Sequence, residues 1–383
     1  MIDKIPFNKP YFAGKEIQNI VNAAYYGHLS GNGAFTKMCH YFFEERWGFK
    51  KTYMTTSCTD AFEMAALLMD LKEGDEVILP SFTFVSTTSP FMLRGAKLVF
   101  ADSHTDHPNM DMDKVEALIT DKTKVLLVMH YGGVAVDMDK AVVLAKKYNL
   151  ILIEDMAHAI DSYYKGKPLG TFGDFAAFSF HETKNVSSGE GGLLAVNNEK
   201  YIDKADIVWD KGTNRAAFER GEVDQYEWVG LGASYMPSDM ISGMLYAQLE
   251  NIDDIQHKRI QIWNRYFDNL KVLEEKQLAQ IPHIPDFATN NGHLFYLLLD
   301  NKTQRDALIQ FMDENHIMTV FHYLPLHNSP YFKNKHDGRS LPNSERFANT
   351  IIRLPFFYEL PLMIVDMISD KVKAFFNLQQ NRE

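Results

Sequence analysis

Residues 150–159, LILIEDMAHA, place four consecutive aliphatic side chains directly before two carboxylates, Glu154 and Asp155. A short run that is apolar at every position reads as a strand covered on both faces, as in parallel sheets. Strand alternation sends Glu154 and Asp155 to opposite faces, and the residues after them read as the start of a helix. A carboxylate at that place is either a helix cap or a buried acid at the strand-end edge of a sheet, where α/β proteins hold their ligands.

The same pattern extends outward in both directions. EVILPSF, KLVFAD, KVLLVMHY, FAAFSF and GGLLAVN are further apolar runs, separated by stretches with helical spacing such as DKAVVLAKKYN at 139–149. This alternation predicts an α/β fold with a mostly parallel sheet and helices on both faces. A charge-rich stretch at 241–275 predicts one long bridging helix, and HLFYLLLD, TQRDALIQFMDENH and TVFHYLP predict strand, helix and strand before two closing helices. The expected division is a large domain over residues 1–250 and a smaller α+β C-terminal domain over 251–383.

Composition narrows the function classes. With 383 residues, 46% of them hydrophobic, the chain can bury a large core, while a formal charge of −11 argues against a surface built to collect nucleic-acid phosphates. The first ten residues, MIDKIPFNKP, lack the basic flank and apolar core of a secretory signal, and no run reaches the length of a membrane helix. A cytoplasmic protein with no membrane or nucleic-acid partner is expected. Only two cysteines occur, Cys39 and Cys58, so neither a disulfide framework nor a four-cysteine zinc site is available. The histidines of DSHTDH at 102–107 read as a solvated loop, and no metal site is expected.

Against that background one lysine stands out. In SFHETKNVSSGEGG, residues 179–192, Lys184 follows the apolar run DFAAFSF and precedes a serine- and glycine-rich loop. A lysine that supplies an amine for a carbonyl, with a buried aspartate to hold a proton on a heterocyclic nitrogen, is the pairing pyridoxal 5′-phosphate requires. Such a cofactor also needs a phosphate cradle. TTSCTDAFEMAA offers Ser57, Cys58 and Thr59 at a helix start, with Ser179 as a further hydroxyl, although an ordinary helix cap has the same composition. Phe82 and Phe84, in PSFTFVST, and His158, just past Asp155, could flank a planar ring.

Taken in order, five stretches carry a resemblance over nearly the whole chain: GNGAFTKMCHYFFEERWG, TTSCTDAFEMAALLMDLKEGDEVILPSFTFVST, IEDMAHAIDSYYKGKPLGTFGD, SFHETKNVSSGEGG and HYLPLH. They resemble the DegT/DnrJ/EryC1/StrS sugar aminotransferases, which have the type I, aspartate-aminotransferase-like pyridoxal-phosphate fold. The resemblance implies that Lys184 is the Schiff-base lysine, Asp155 the pyridinium partner, His158 the residue beside the cofactor oxygen and Phe84 the ring stacker. It likewise implies phosphate contacts from Cys58, Thr59 and Ser179. Many members carry an asparagine that reaches the neighbouring subunit's phosphate. In GASYMPSD Ser234 takes its place, and Met236 stands where those members have arginine. A related branch has histidine for the lysine and dehydrates its sugar, so Lys184 favours transamination.

The resemblance further implies a homodimer with shared active sites, a nucleotide-linked ketosugar as acceptor and L-glutamate as donor. SFHETKN, KGTNR and VFHYLPLH point to the branch that aminates C4 of a dTDP-linked 4-keto-6-deoxy sugar for cell-surface polysaccharide synthesis. Candidate substrate contacts are His181, Glu182, Lys211, Arg215, His322, Tyr323 and His327. A 3-aminotransferase or UDP-sugar 4-aminotransferase would share the cofactor residues. A cofactor-binding regulator would carry an added basic domain, which this chain lacks.

Overall fold

The computed structural model describes residues 4–377. Five strands come first: β1 (Lys51–Thr55), β2 (Glu76–Pro80), β3 (Lys97–Ala101), β4 (Thr123–Met129) and β5 (Ile151–Asp155). A small hairpin of β6 (Tyr163–Tyr164) and β7 (Lys167–Pro168) follows, then β8 (Phe175–Ser179) and β9 (Gly192–Val196). The main sheet has the order β1-β9-β8-β5-β4-β2-β3. Within it β9 runs antiparallel to both neighbours, and the other pairings are parallel. All six apolar runs read from the sequence are strands of this sheet.

Alternation along the buried strands divides the core in two. On β4, Val125 and Leu127 face one cluster while Leu126 and Val128 face the other. Helices such as Met138–Tyr148 cover these faces. Its N-cap is Asp137, whose side chain accepts from the Lys140 N–H, and its C-cap is the left-handed Asn149.

Three local expectations fail, two of them in the segments around the main sheet. The segment after β5 is not a helix. Asp155 Oδ1 accepts the Ala157 N–H at 3.0 Å, and successive turns from Ala159 to Met156 and from Ser162 to Ala159 close the chain instead. That carboxylate–backbone turn competes directly with helix initiation. The long bridging element is two helices, Asp239–Glu250 and Ile252–Glu275, broken at Asn251. The Asn251 amide donates back to the Ala247 carbonyl at 2.8 Å, a local bond that ends the first helix.

Beyond the second of these helices, β10 (Tyr296–Leu298) and β11 (Ile351–Arg353) pair antiparallel. They pack with helices Lys302–Glu314 and Leu362–Phe375 around a separate apolar cluster. TVFHYLP contributes no strand there, only an isolated bridge between Val320 and Arg353. The start of the chain joins this unit: the Ile5 N–H donates to the His316 carbonyl at 2.8 Å and the Met318 N–H to the Ile5 carbonyl at 3.0 Å. Phe82, Met129, Tyr131, Tyr296 and Phe347 form a further cluster between the sheet edge and β10–β11. The loops that leave the C-terminal ends of β2, β4, β5 and β8 therefore open toward the segment 318–327 and β11.

Gly192, on β9, lies against the turn that opens helix Cys58–Leu68. A Cβ at Gly192 would fall 2.3 Å from the Ser57 carbonyl carbon and 2.5 Å from the Cys58 nitrogen, both backbone atoms that cannot rotate away. Gly192→Ala should lower stability by ~1–3 kcal/mol, the usual range for overpacking, as measured by urea unfolding. Gly189→Ala meets no atom within 4 Å but sits at φ 79°, and should cost only the ~1–2 kcal/mol of left-handed strain. A Gly192→Ala variant as stable as the wild type would contradict this account of Gly192.

Candidate active site

Asp155, the last residue of β5, is buried and holds two hydrogen bonds. Thr87 Oγ1 donates to Oδ2 at 2.9 Å and the Ala157 N–H to Oδ1. Thr87 is steadied in turn by Thr83, 2.9 Å away. Burial raises the Asp155 pKa, opposed by these two bonds and by the charge of Lys184. No cation lies at ion-pair distance from Asp155 among the described residues. Glu154 faces the other way and accepts the N–H groups of Gly170, Phe172 and Gly173, as strand alternation requires.

Lys184 lies in the loop between β8 and β9. The loop is drawn tight by Phe180 N–H to the Gly191 carbonyl, Glu182 N–H to Gly189 and Ser188 N–H to Phe180. Its neighbour Asn185 pins it from beneath, donating to Gln256 and to the Asn291 carbonyl, both at 2.9 Å, and meeting His293 Nδ1 at 2.8 Å. Burial lowers the Lys184 pKa to about 8, with Cys58 and Asp155 opposing the shift and Arg353 adding to it. An amine so placed is available in its nucleophilic form near neutral pH. The Cys58 thiol is pushed up by burial and by Asp155, with Lys184 opposing.

Aromatic and imidazole groups close the far side. His158 Nδ1 accepts the Gly132 N–H at 3.2 Å. Its Nε2 therefore carries the proton and donates to Tyr323 Oη at 3.1 Å. Burial, together with Lys184, holds the His158 pKa well below the usual value. His293 stacks on His158 with ring centroids 4.1 Å apart. Tyr323 leans on Phe82 and Phe84 at 6.0 and 6.1 Å, and Phe84 is half exposed. His322 is pushed down to about 4 by partial burial and by Arg353 and Lys184.

At the third corner, helix Cys58–Leu68 begins. Ser57 is its cap, accepting the Asp60 N–H at 3.1 Å, which leaves the N–H groups of Cys58 and Thr59 without an acceptor among the described residues. Donors at the positive end of a helix suit an oxyanion. Residues 12–373 match the DegT/DnrJ/EryC1/StrS aminotransferase family. The chain belongs to this family. It is 31% identical over 384 aligned residues to the spore coat polysaccharide biosynthesis protein SpsC of Bacillus subtilis (strain 168), covering 97% of this chain and 96% of that protein. Among solved structures it is similar to Spr1654 from Streptococcus pneumoniae in its PMP form, with 26% identity, coverage of 97% and 99%, and a TM-score of 0.89. The aminotransferase TlmJ from Streptoalloteichus hindustanus gives the same identity, coverage and TM-score.

As a DegT/DnrJ/EryC1/StrS member the protein is a pyridoxal-phosphate-dependent sugar aminotransferase with the type I α/β fold. The residues fit that cofactor. Asp155, a buried acid with no cation, suits a protonated ring nitrogen; Lys184 presents the amine; and the helix start at Cys58 and Thr59 presents unused N–H donors.

The other candidate residues divide by position. Ser179 ends β8 beside Gly192 and is half-buried. Ser234 is exposed and bridges Asp210, and the carbonyl of the next residue, Tyr235, accepts the Thr56 N–H at 2.9 Å. His181 turns back on its own loop, with Nδ1 3.0 Å from Thr183 Oγ1, and Glu182 is exposed beside it. Lys211 and Arg215 are not brought to Lys184 within the chain. Both pair with Asp210, at 3.0 and 3.4 Å, and Arg215 borders a separate pocket with His40 and Lys51. His327 lies away from the solvent-facing part of the cleft. It is buried, with Nδ1 2.7 Å from Ser81 Oγ and Nε2 3.2 Å from Glu345, so its ring ties β2 to helix Pro342–Thr350. Thr87, Asn185, His293 and Arg353, which no sequence motif singles out, bond to or act electrostatically on Asp155, Lys184 or the loop that carries Lys184.

The lowered pKa of Lys184 has a definite sign. The unfolded chain keeps that proton to the ordinary 10.5 while the folded chain releases it near 8, so the unfolded state binds more protons between those values. Stability of the cofactor-free protein should therefore rise with pH across this window. Lys184→Met should remove that slope in urea titrations, and amine-specific acylation of the Lys184 peptide should rise through pH about 8. A midpoint near 10.5 would contradict the buried amine.

Proposed function

We propose that the protein is a dTDP-4-amino-4,6-dideoxygalactose transaminase, moving an amino group from L-glutamate to C4 of dTDP-4-keto-6-deoxyglucose in cell-surface polysaccharide synthesis, as in the enterobacterial common antigen pathway. The observation that carries the chemistry is the convergence of Lys184 and Asp155 at adjacent parallel strand ends. SFHETKN and VFHYLPLH support the sugar, and the polysaccharide role named for SpsC supports the product class.

Bound pyridoxal phosphate supplies an electron sink for the carbon that gains or loses the amino group. The chain does the rest. Asp155, fixed by Thr87 and the Ala157 N–H, holds a proton on the ring nitrogen; Cys58 and Thr59 hold the phosphate through their N–H groups. Lys184 Nζ takes the proton from the donor's α-carbon and, in the second half-reaction, returns one to C4 of the sugar. His158, buried, donates to the half-buried Tyr323, so the Tyr323 O–H is left free to donate into the cleft.

We place the working form as a homodimer with sites shared between subunits. Support comes from the apolar side chains left exposed near the start of the chain and in 226–231, among them Tyr25, Tyr26, Trp228 and Leu231. Sedimentation should give twice the 44.0 kDa chain mass; a fully active monomer would remove this part of the reading.

Incubating holoenzyme with dTDP-4-keto-6-deoxyglucose and L-glutamate should give, by NMR, nitrogen at C4 in the galacto configuration, with at least a ~10²-fold loss of turnover in Lys184→Ala. Nitrogen at C3, or turnover only after a ketoisomerase is added, would assign the chain to the 3-aminotransferases.

A further inference from the structure

A cavity of about 370 Å³ opens beside β1, the edge strand of the main sheet, between helices Ala34–Trp47, Ile202–Trp209 and Arg215–Glu219. No residue of the Lys184 cleft borders it. Its wall carries four cationic side chains, Lys37, Lys51, Arg215 and Arg220, against three acids, Asp206, Asp210 and Glu219. The acids are already occupied or turned to solvent. Asp206 accepts the Tyr53 O–H and an Arg220 N–H, both at 2.8 Å, Asp210 pairs with Lys211 and Arg215, and Glu219 is exposed. Arg220 is spent on Asp206 and Glu222.

The group that decides the cavity's character is His40. It is 9% exposed, and its Nε2 accepts the Met54 N–H at 2.9 Å. A neutral imidazole that accepts at one nitrogen carries its proton on the other, so Nδ1–H is the ring's donor. That donor meets no acceptor among the described residues. Lys37, one turn before His40 on the same helix, and Lys51, at the start of β1, likewise make no hydrogen bond or ion pair with a described residue. Burial, then the charges of Lys51 and Lys37, push the His40 pKa down to about 3, so both ammonium groups are felt at the ring. A buried donor flanked by two uncompensated cations is costly for the chain alone, and an anion between them removes that cost.

We propose that this cavity binds a phosphoryl dianion, at a site separate from the cofactor and the sugar. The unpaired donors reach it from two elements, His40 and Lys37 from the helix and Lys51 from β1. A tetrahedral oxyanion accepts from several directions at once, and lysine meets it as a point charge. A planar carboxylate is matched best by one free guanidinium fork. Here Arg220 is spent, and Arg215 is turned to Asp210 and lies 4.7 Å from the Tyr226 ring. Inorganic phosphate and a phosphate monoester share this chemistry, and the cavity is roomy enough for either. Once bound, the dianion fastens helix Ala34–Trp47 to the edge of the sheet through His40, Lys37 and Lys51. The inference stands independently of the sugar assigned above.

The test uses holoenzyme, in which the cofactor's phosphate already fills its own cradle. Wild type, Lys37→Met, Lys51→Met and the double variant are titrated by calorimetry at fixed ionic strength. The probes are inorganic phosphate, glycerol 2-phosphate as a plain ester, and malonate as a planar dianion. Wild type should bind one phosphoryl group per chain beyond the cofactor, and its thermal midpoint should rise with that ligand. Each single variant should weaken binding ~10-fold and the double variant ~100-fold, the scale for losing charged hydrogen-bond partners. The cofactor spectrum and the turnover measured without phosphate should stay as in wild type. Tighter binding of the ester assigns the occupant to a metabolite, and tighter binding of the ion assigns it to free phosphate; either supports the site. No binding to wild type, binding that survives in the double variant, or malonate binding as tightly as phosphate would overturn the inference. So would phosphate that competes with the sugar nucleotide, which would make the cavity part of the substrate site.

Discussion

The alternation at the end of β5 is the constraint on which the site depends. Two adjacent carboxylates are buried, and a period of two residues sends them to opposite faces of one sheet. Glu154 collects three backbone N–H groups from 170–173 and lies 3.2 Å from His130, so its charge is absorbed by structure. Asp155 receives one hydroxyl and one N–H, and its pKa is raised by burial. Side by side in sequence, one acid is fully committed to the fold and the other has capacity left over. A slip of one residue in the β4–β5–β8 register would exchange them.

The rest of the site is organised to keep Asp155 and Lys184 opposed without letting them neutralise each other. Lys184 approaches on a separate loop, held by Asn185 against Gln256 and Asn291, and its amine is kept from full protonation by burial. Groups that could have supplied stray charge are held neutral: Cys58 and Tyr323 by pKa values raised on burial, His158 and His293 by values lowered on burial. What remains charged in the cleft is one acid and two cations, each on a different element.

How much of this could be read from the sequence follows from the physics of each feature. The central sheet was legible because strands buried on both faces must be apolar at every residue, and LILI, VLLVM and FAAF have no other economical reading. Lys184 and Asp155 were legible because both sit where such runs end. The segment after Asp155 was not, since a single side-chain bond to the Ala157 N–H decides between helix and turn. The strand read into TVFHYLP reduces to the Val320–Arg353 bridge, because Tyr131 Oη donates to the His322 carbonyl at 3.0 Å and Tyr323 turns inward to His158. His327 drew attention as part of HYLPLH, a stretch expected to line the cleft; only the fold supplies Ser81 and Glu345 as its partners.

Arg353 was illegible for a deeper reason. An arginine in IIRLPFF is buried whether or not it has a partner, and composition cannot say which. The distinction lies in its contrast with Arg259: two guanidiniums in similar apolar surroundings, one bonded to carbonyls and one to nothing in the chain. A fold under no functional demand would replace the second with an aliphatic residue of like volume and gain stability. Arg353 ends β11, and its backbone bonds to Val320 set it beside the segment that carries His322 and Tyr323.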